Sequence, residues 1–229
     1  MTVAVAIMVK QPVAGGVKTR LCPPLLPEEA ASLYRCFLVD KMAQVRHLET
    51  AAPYLAFAPR EAEGFFREFA GGSFSLIPQE GDDLGQRLMR LSARLLTTAH
   101  PAVVIIDSDT PTLPDQYLAE AVTLLGDGRT DAVFGPAEDG GYYLVGLRRP
   151  APMLFEGIPW STASVLDQTM RRIASANMTV RLLPAWFDVD TGADLERLRR
   201  DLDRNGAGAQ ETRAFLRNLR VARPARSLA

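Results

Sequence analysis

The residues with the clearest chemical potential follow apolar runs that resemble β-strands. The first run covers residues 3–9, and the segment KQPVAGGVKTR (residues 10–20) comes directly after it. Paired glycines let main-chain N–H groups converge on an anion, and cationic side chains neutralise phosphate charge. The segment therefore predicts a nucleotide-binding loop that holds phosphates, with a flexible solvated turn as the alternative. Its candidate residues are Lys10, Gly15, Gly16, Lys18 and Arg20.

Two acidic segments also lie between a predicted strand and a predicted helix. Residues 107–111 read DSDTP, and residues 187–191 read FDVDT. Mg²⁺ favours sites built from one or two carboxylates together with phosphate oxygens. We therefore expect Asp109, together with Asp190 or Asp188, to bind Mg²⁺ or Mn²⁺. The alternative for Asp109 and Asp190 is that each only caps the helix that follows it, and the alternative for Asp188 is a solvated loop residue.

A third segment, GPAEDGGYY (residues 135–143), places glycines, acids and tyrosines between two predicted strands. Glycine permits close approach to a ligand, carboxylates accept hydrogen bonds from hydroxyl groups, and tyrosine stacks or donates. We expect this segment to bind an acceptor or a sugar, although a tight turn would also use glycines. The assigned residues are Glu138, Asp139, Gly140, Gly141 and Tyr142.

A further strand-to-helix loop covers residues 79–87, QEGDDLGQR. It lies at the predicted ligand-binding edge of the sheet, so we expect it to add contacts to the nucleotide. The assigned residues are Leu84, Gly85 and Arg87.

The elements that would position these loops alternate between strands and helices. Apolar, β-branched runs predict strands at residues 3–9, 54–58, 74–77, 102–106, 132–134, 142–147 and 179–183. Helical spacing predicts helices at residues 27–48, 62–69, 83–97, 114–125, 161–176, 191–204 and 211–219. The alternation indicates an α/β fold with a mixed, mainly parallel sheet and helices on both faces. The sheet is expected to be mixed because no helix separates the two strands that flank residues 138–141.

Composition limits the classes of protein that remain. The chain has 229 residues, of which 47% are hydrophobic and 23% charged, and we expect one domain over residues 1–219. Residues 220–229 are expected to form a mobile, basic tail. A net charge of −1 does not favour binding to nucleic acid or to a membrane. The first residues resemble a buried strand rather than a signal peptide, which predicts a cytoplasmic protein.

Five segments taken together resemble one known family, the radical-SAM/selenodomain-associated transferases of the glycosyltransferase A-type superfamily. They are KQPVAGGVKTRL (10–21), DSDTP (107–111), GPAEDGGYYLVGL (135–147), FEGIPWST (155–162) and DVDTGADL (188–195). The first loop is also similar, more distantly, to that of 2-phospholactate and molybdenum-cofactor guanylyltransferases. The resemblance implies a Rossmann-like nucleotide-diphospho-sugar transferase fold with a divalent metal at Asp109. Relatives commonly carry glycine at the position of Asp107, so the resemblance does not make Asp107 a ligand.

These observations lead to a primary hypothesis and two alternatives. The primary hypothesis is a metal-dependent nucleotidyltransferase that joins a nucleoside monophosphate to a small acceptor and releases pyrophosphate, with Lys18, Arg20 and Asp109 as catalytic residues. The first alternative is a glycosyltransferase that uses a nucleotide-sugar donor. The second is a nucleotide-sensing module without turnover. The sequence leaves the base, the acceptor and the oligomeric state open.

Overall fold

A computed structural model describes residues 2–97, 100–204 and 208–219. The strands are β1 Val3–Lys10, β2 Ala51–Ala58, β3 Ser75–Pro78, β4 Val103–Ile106, β5 Ala132–Pro136, β6 Tyr142–Leu147 and β7 Val180–Leu182. The helices are α1 Pro27–Arg46, α2 Glu63–Ala70, α3 Leu84–Thr97, α4 Asp115–Gly126, α5 Val165–Ser175, α6 Gly192–Arg204 and α7 Gln210–Asn218. The predicted basic tail at 220–229 lies outside the described residues. Within those residues, none of the helices is both long and apolar enough to span a bilayer.

The strands form a seven-stranded sheet in the order β3-β2-β1-β4-β6-β5-β7. Strand β6 runs antiparallel to β4 and β5, whereas the other neighbouring strands are parallel. The predicted α/β fold with a mixed, mainly parallel sheet is confirmed. The carboxyl ends of β1 and β4 lie side by side, because Ile7 pairs with Ile106. The loops that follow these two strands therefore start at the same edge of the sheet.

Both faces of the sheet are buried, which explains the continuous apolar run of β1. Val3, Val5 and Ile7 belong to one hydrophobic cluster, which also contains buried residues of α1, α4, α6 and α7. Ala4 and Ala6 belong to a second cluster, which contains residues of α3 and α5. A strand covered on both sides needs apolar residues at every position rather than at alternate positions.

Most predicted boundaries lie within two residues of the observed ones, and the two that differ by more, the starts of β2 and α5, do so for local reasons. Strand β2 starts at Ala51 instead of residue 54 and includes Pro53. Proline is tolerated there because pairing with β3 begins only at Tyr54, so β2 has a free edge at Pro53. Helix α5 starts at Val165 rather than residue 161, because Ser161 has a φ of 63°, outside the helical region.

Candidate functional site

A cleft of about 600 Å³ opens at the carboxyl ends of β1 and β4. Its walls come from the loops that follow these strands, the start of α3, the glycine-rich segment before β6, and the loop before α6. The sequence-predicted residues that line it are Lys10, Gly16, Lys18, Arg20, Leu84, Arg87, Asp109, Asp139, Gly141, Tyr142, Asp188 and Asp190. Gly15, Gly85, Glu138 and Gly140 are not among its lining residues. The structure thus brings segments from residue 10 to residue 190 to one site.

Lys18 lies at the centre of the charged part of the cleft. Its Nζ is 2.7 Å from Asp109 Oδ1, 2.8 Å from Asp190 Oδ1, and 2.8 Å from the main-chain oxygen of Val189. Its side chain is only 5% exposed. Burial by itself lowers the pKa of Lys18, but the charges of Asp109 and Asp190 outweigh burial and raise that pKa above its usual value. Lys18 is therefore charged at neutral pH and joins the two predicted metal ligands.

The second cation of this loop is more open to solvent. Arg20 Nη1 is 4.0 Å from Asp190 Oδ2, and the Arg20 side chain is 71% exposed. An exposed guanidinium at this distance makes only a weak ion pair, so it remains available to an anionic ligand.

Asp190 does not cap helix α6. The cap is Thr191, whose main-chain N–H donates to Asp194 Oδ2 at 2.8 Å, while the Asp194 N–H is 3.4 Å from Thr191 Oγ1. This reciprocal arrangement is a capping box. Because Thr191 and Asp194 serve the helix end, the Asp190 carboxylate is left facing Lys18 in the cleft.

Asp109 is also free of a capping role. The helix that follows it, α4, begins at Asp115 with Pro114 at the cap position. The turn that holds Asp109 is made by Asp107, whose Oδ1 accepts hydrogen bonds from the Asp109 N–H at 3.2 Å and the Thr110 hydroxyl at 2.8 Å. Asp107 thus shapes the loop that presents Asp109. Burial, followed by the charge of Asp109, raises the pKa of Asp107.

Asp188 is a half-buried carboxylate with one unpaired oxygen. Its Oδ1 is buried and has no hydrogen-bond partner among the described residues. Burial raises its pKa, as do the nearby charges of Asp107 and Asp109. Buried acceptors are normally satisfied, so an uncompensated one next to other carboxylates indicates a place for a cation.

The carboxylates in the cleft are chemically suited to a divalent cation. Asp109, Asp188 and Asp190 supply hard oxygen donors, which Mg²⁺ and Mn²⁺ prefer. In the described part of the chain, however, no three His, Cys, Asp or Glu side chains already form a group that could hold a metal ion. The Lys18 ammonium lies between two of the candidate ligands. A metal bound by both Asp109 and Asp190 would have to displace it.

The glycine-rich segment contributes to the cleft through only part of its length. Asp139 and Gly141 line the cleft, and Asp139 Oδ1 accepts a hydrogen bond from the Gly141 N–H at 2.9 Å. Gly140 has a φ of 93°, and a Cβ at this position would overlap the main chain of Ala163. Glu138 forms a two-pronged ion pair with Arg197 of α6. Gly140 and Glu138 thus fix the segment, and neither contacts the cleft.

Another part of the cleft wall contains aromatic side chains. Tyr142 and Trp160 pack edge to face, with ring centroids 6.2 Å apart. Gly85 lies behind Trp160, because a Cβ there would come within 2.6 Å of Trp160 Nε1. Arg87 Nε donates to the main-chain oxygen of Gly81 at 3.0 Å, which orients the guanidinium at the rim. Tyr142 and Trp160 both line the cleft and supply aromatic surface against which a planar group could pack.

Sequence reasoning missed two polar residues of α1 that hold the site. The Tyr34 hydroxyl lies 2.8 Å from Ser108 Oγ and accepts a hydrogen bond from the Lys10 main-chain N–H at 3.1 Å. Lys41 is 1% exposed, and its Nζ is 2.8 Å from the main-chain oxygen of Thr110. Burial lowers the pKa of Lys41 to about 8, against the raising effect of nearby carboxylates. A sequence signal existed, because Lys41 falls on the buried, mainly apolar face of this helix.

Comparison with a solved structure assigns the class of fold. A protein from Desulfovibrio desulfuricans, provisionally described as a nucleotide-diphospho-sugar transferase, has 33% sequence identity and a TM-score of 0.88, with 95% of each chain covered. The fold is that of the nucleotide-diphospho-sugar transferases, as expected from the resemblance. Residues 41–162 match the family described as "Uncharacterized protein conserved in bacteria (DUF2064)", and the chain belongs to this family.

More distant structures share the fold alone. A CMP:2-keto-3-deoxy-manno-octonic acid synthetase complexed with CTP has 12% identity and a TM-score of 0.58, covering 89% of this chain and 99% of its own. A Mycobacterium tuberculosis protein in complex with manganese has 15% identity and a TM-score of 0.51, covering 86% and 98%. No curated protein matches the sequence. The resemblance to the radical-SAM-associated subgroup stays a prediction.

Proposed function

We propose that this protein is a cytoplasmic, metal-dependent nucleotidyltransferase that transfers a nucleoside monophosphate from a triphosphate to a small acceptor. The observation that carries the proposal is the position of Lys18, whose ammonium contacts both Asp109 and Asp190 within one cleft. A cationic loop and two acidic loops thus meet at a single point. Such a pairing of cations and carboxylates suits a metal-bound polyphosphate.

The cationic loop would bind the triphosphate. Lys18 and Arg20 supply positive charge, and Lys10 stands exposed at the end of β1. The Gly16 N–H is not available to the phosphates, because it donates to the main-chain oxygen of Val13 at 2.9 Å. A triphosphate carries more negative charge than a diphosphate, which favours nucleotidyl transfer for a loop with three cations. Neutralisation of the developing charge is the main contribution that such groups make to phosphoryl transfer.

The acidic loops would hold the divalent cation. Asp109 and Asp190, with Asp188 beside them, are the proposed ligands of Mg²⁺ or Mn²⁺. When bound, the metal would polarise phosphate oxygens and offset their charge. Asp107 would keep Asp109 in place by accepting the hydrogen bonds of its turn.

The reaction requires no nucleophilic side chain. An acceptor oxygen forms a bond to the α-phosphorus, the bond from that phosphorus to the bridging oxygen breaks, and pyrophosphate leaves. Asp139, Gly141 and Tyr142 would position the acceptor from the side of β6. An acceptor phosphate is already ionised, so it would need no general base; a hydroxyl acceptor would give its proton to Asp139.

Glycosyl transfer from a nucleotide sugar is the second candidate. The Desulfovibrio relative favours it, because that protein is provisionally described as a nucleotide-diphospho-sugar transferase. The same cations and carboxylates would then stabilise a departing nucleoside diphosphate. Asp139, which lines the cleft, would contact the sugar or act as the base.

A product assay tests the proposal and separates it from the alternatives. Purified protein with Mg²⁺ or Mn²⁺ is offered nucleoside triphosphates and nucleotide sugars with a set of phosphorylated and hydroxylated acceptors, and the released phosphates are identified. Release of pyrophosphate supports nucleotidyl transfer, and release of a nucleoside diphosphate supports glycosyl transfer. Saturable nucleotide binding without either product would instead indicate a sensing module.

A further inference from the structure

A buried network of polar side chains joins the loop that carries Asp109 to helix α1. Four of the eight polar or charged residues that are buried in the described chain belong to it, namely Lys41, Gln44, Ser108 and Thr110. Lys41 is the only charged residue in that buried set. Burying a lysine is unfavourable unless its ammonium is fully hydrogen-bonded, so its surroundings must compensate.

Lys41 is compensated by oxygens that mostly belong to the acidic loop. Its Nζ donates to the main-chain oxygen of Thr110 at 2.8 Å, to Thr110 Oγ1 at 3.2 Å, and to Gln44 Oε1 at 3.0 Å. An ammonium has three N–H donors, and three acceptors surround this one. The position of Thr110 is therefore fixed relative to α1.

A continuous hydrogen-bonded chain then leads from Lys41 to Asp109. The Thr110 hydroxyl accepts from Lys41 and donates to Asp107 Oδ1, which also accepts from the Asp109 N–H. Each donor polarises the next bond in such a chain, which strengthens it in a buried setting. The charge on Lys41 also attracts the Asp107 and Asp109 carboxylates of this loop.

Two further residues on the same helix face support the loop on either side. The Gln44 amide donates to the main-chain oxygen of Leu113 at 2.7 Å and to Asp115 Oδ1 at 2.9 Å. The Tyr34 hydroxyl is hydrogen-bonded to Ser108. Positions 34, 41 and 44 share one face of a helix because they are seven and three residues apart.

From these contacts we infer that Lys41 is a positioning residue that fixes the turn at residues 107–110 and so orients the Asp109 carboxylate toward the cleft. Lys41 acts through Thr110 and Asp107 and does not line the cleft itself. Its consequences for Mn²⁺ binding and turnover rest on the proposed function, but its effect on the turn does not.

The test compares Lys41→Met with Val45→Ala, a buried residue of the same helix. Both variants weaken the packing of α1, but only Lys41→Met breaks the chain to Asp109. Hydrogen exchange at residues 107–113 and Mn²⁺ binding to the nucleotide-free protein are measured for each. We expect Lys41→Met to speed exchange in this segment and to weaken Mn²⁺ binding about tenfold or more, as loss of groups that orient metal ligands does. Val45→Ala should match the wild type in both measurements.

Thr110→Val serves as a second variant if Lys41→Met does not fold, because it removes the connecting hydroxyl and keeps the lysine. It should also speed exchange at residues 107–109. Equal exchange in this segment for wild type and for the folded Lys41 or Thr110 variant would overturn the inference. A wild type that releases no pyrophosphate would contradict the proposed function, and the exchange comparison would still decide the role of Lys41.

Discussion

The main-chain N–H of Val189 donates a hydrogen bond of 3.0 Å to the main-chain oxygen of Asp109. This bond joins two loops that are far apart in the sequence and places Asp109 beside Asp190. Lys18 then contacts both carboxylates and the Val189 carbonyl oxygen. The Asp109 and Asp190 carboxylates both contact the same ammonium, and they would repel each other if no cation lay between them. The pair therefore favours a bound positive charge.

Replacement of Asp109 by asparagine should abolish transfer while the fold remains. Asparagine keeps the shape of the side chain but removes the charge proposed to hold the metal, so we expect turnover to fall at least about a thousandfold. Pyrophosphate release at saturating nucleotide measures the loss, with circular dichroism as the check on folding. Asp167→Asn, an exposed change on α5 that lies outside the cleft, should leave turnover unchanged. An Asp109→Asn variant with wild-type turnover would remove Asp109 from the mechanism.

Replacement of Lys18 by methionine should separate metal binding from catalysis. In the free protein the ammonium lies between Asp109 and Asp190, so its removal should let Mn²⁺ bind more tightly to nucleotide-free protein. Turnover should nevertheless fall about a hundredfold or more, because the triphosphate loses a charged partner. Titration of Mn²⁺ followed by electron paramagnetic resonance measures the affinity. Weaker Mn²⁺ binding in this variant would show that Lys18 does not compete for the site.

The stability of metal-free protein should depend on pH through Asp188. Because its pKa is raised from 3.8, the folded protein retains a proton on Asp188 at pH values where the unfolded chain has released it. The folded state then binds more protons, so Asp188 makes stability fall as the pH rises.

Asp188→Asn should remove this dependence. With a chelator present to remove metal ions, we expect the variant to have a higher melting temperature than the wild type. This difference should grow by at least about 3 °C between about pH 4.5 and about pH 8, which corresponds to roughly 1 kcal/mol in the free energy of unfolding. Melting curves across this range measure the margin. A margin that shrinks as the pH rises would show that the pKa of Asp188 is not raised.

Gly140 should be intolerant of a side chain. Alanine there would adopt an unfavourable φ of 93° and would overlap Ala163, at a cost of about 3 kcal/mol or more. The melting temperature should fall by about 6 to 12 °C. Gly64→Ala is the matched control, since nothing lies within 4 Å of a Cβ at that helical position, and it should stabilise the protein slightly. Equal effects of the two changes would contradict the close approach at Gly140.

The sequence predicted most of the fold because the signals for its elements are local. The continuous apolar run of β1 indicated a strand that is buried on both faces of the sheet. The observed bounds of β6 agree with the strand predicted at residues 142–147. The missing helix near residues 138–141 predicted the antiparallel strand. Local patterns could not place Pro53 within β2, because its tolerance depends on where the neighbouring strand starts.

The candidate site was less predictable, because its geometry depends on contacts between distant residues. Position after a strand identified Asp109 and Asp190, but only the structure shows that Thr191 rather than Asp190 caps α6. Glu138 had the right chemistry for a ligand, yet it pairs with Arg197, which is 59 residues away in the sequence. Lys41 was hidden within a helix whose other buried positions are mostly apolar.

The most direct test of a shared metal and triphosphate site is a crystal structure with Mn²⁺ and a nucleoside triphosphate analogue that cannot react. We predict anomalous density for Mn²⁺ in contact with Asp109 and Asp190, with the Lys18 ammonium moved from the two carboxylates onto the phosphates. Density for the metal or the triphosphate away from these three residues would contradict the account.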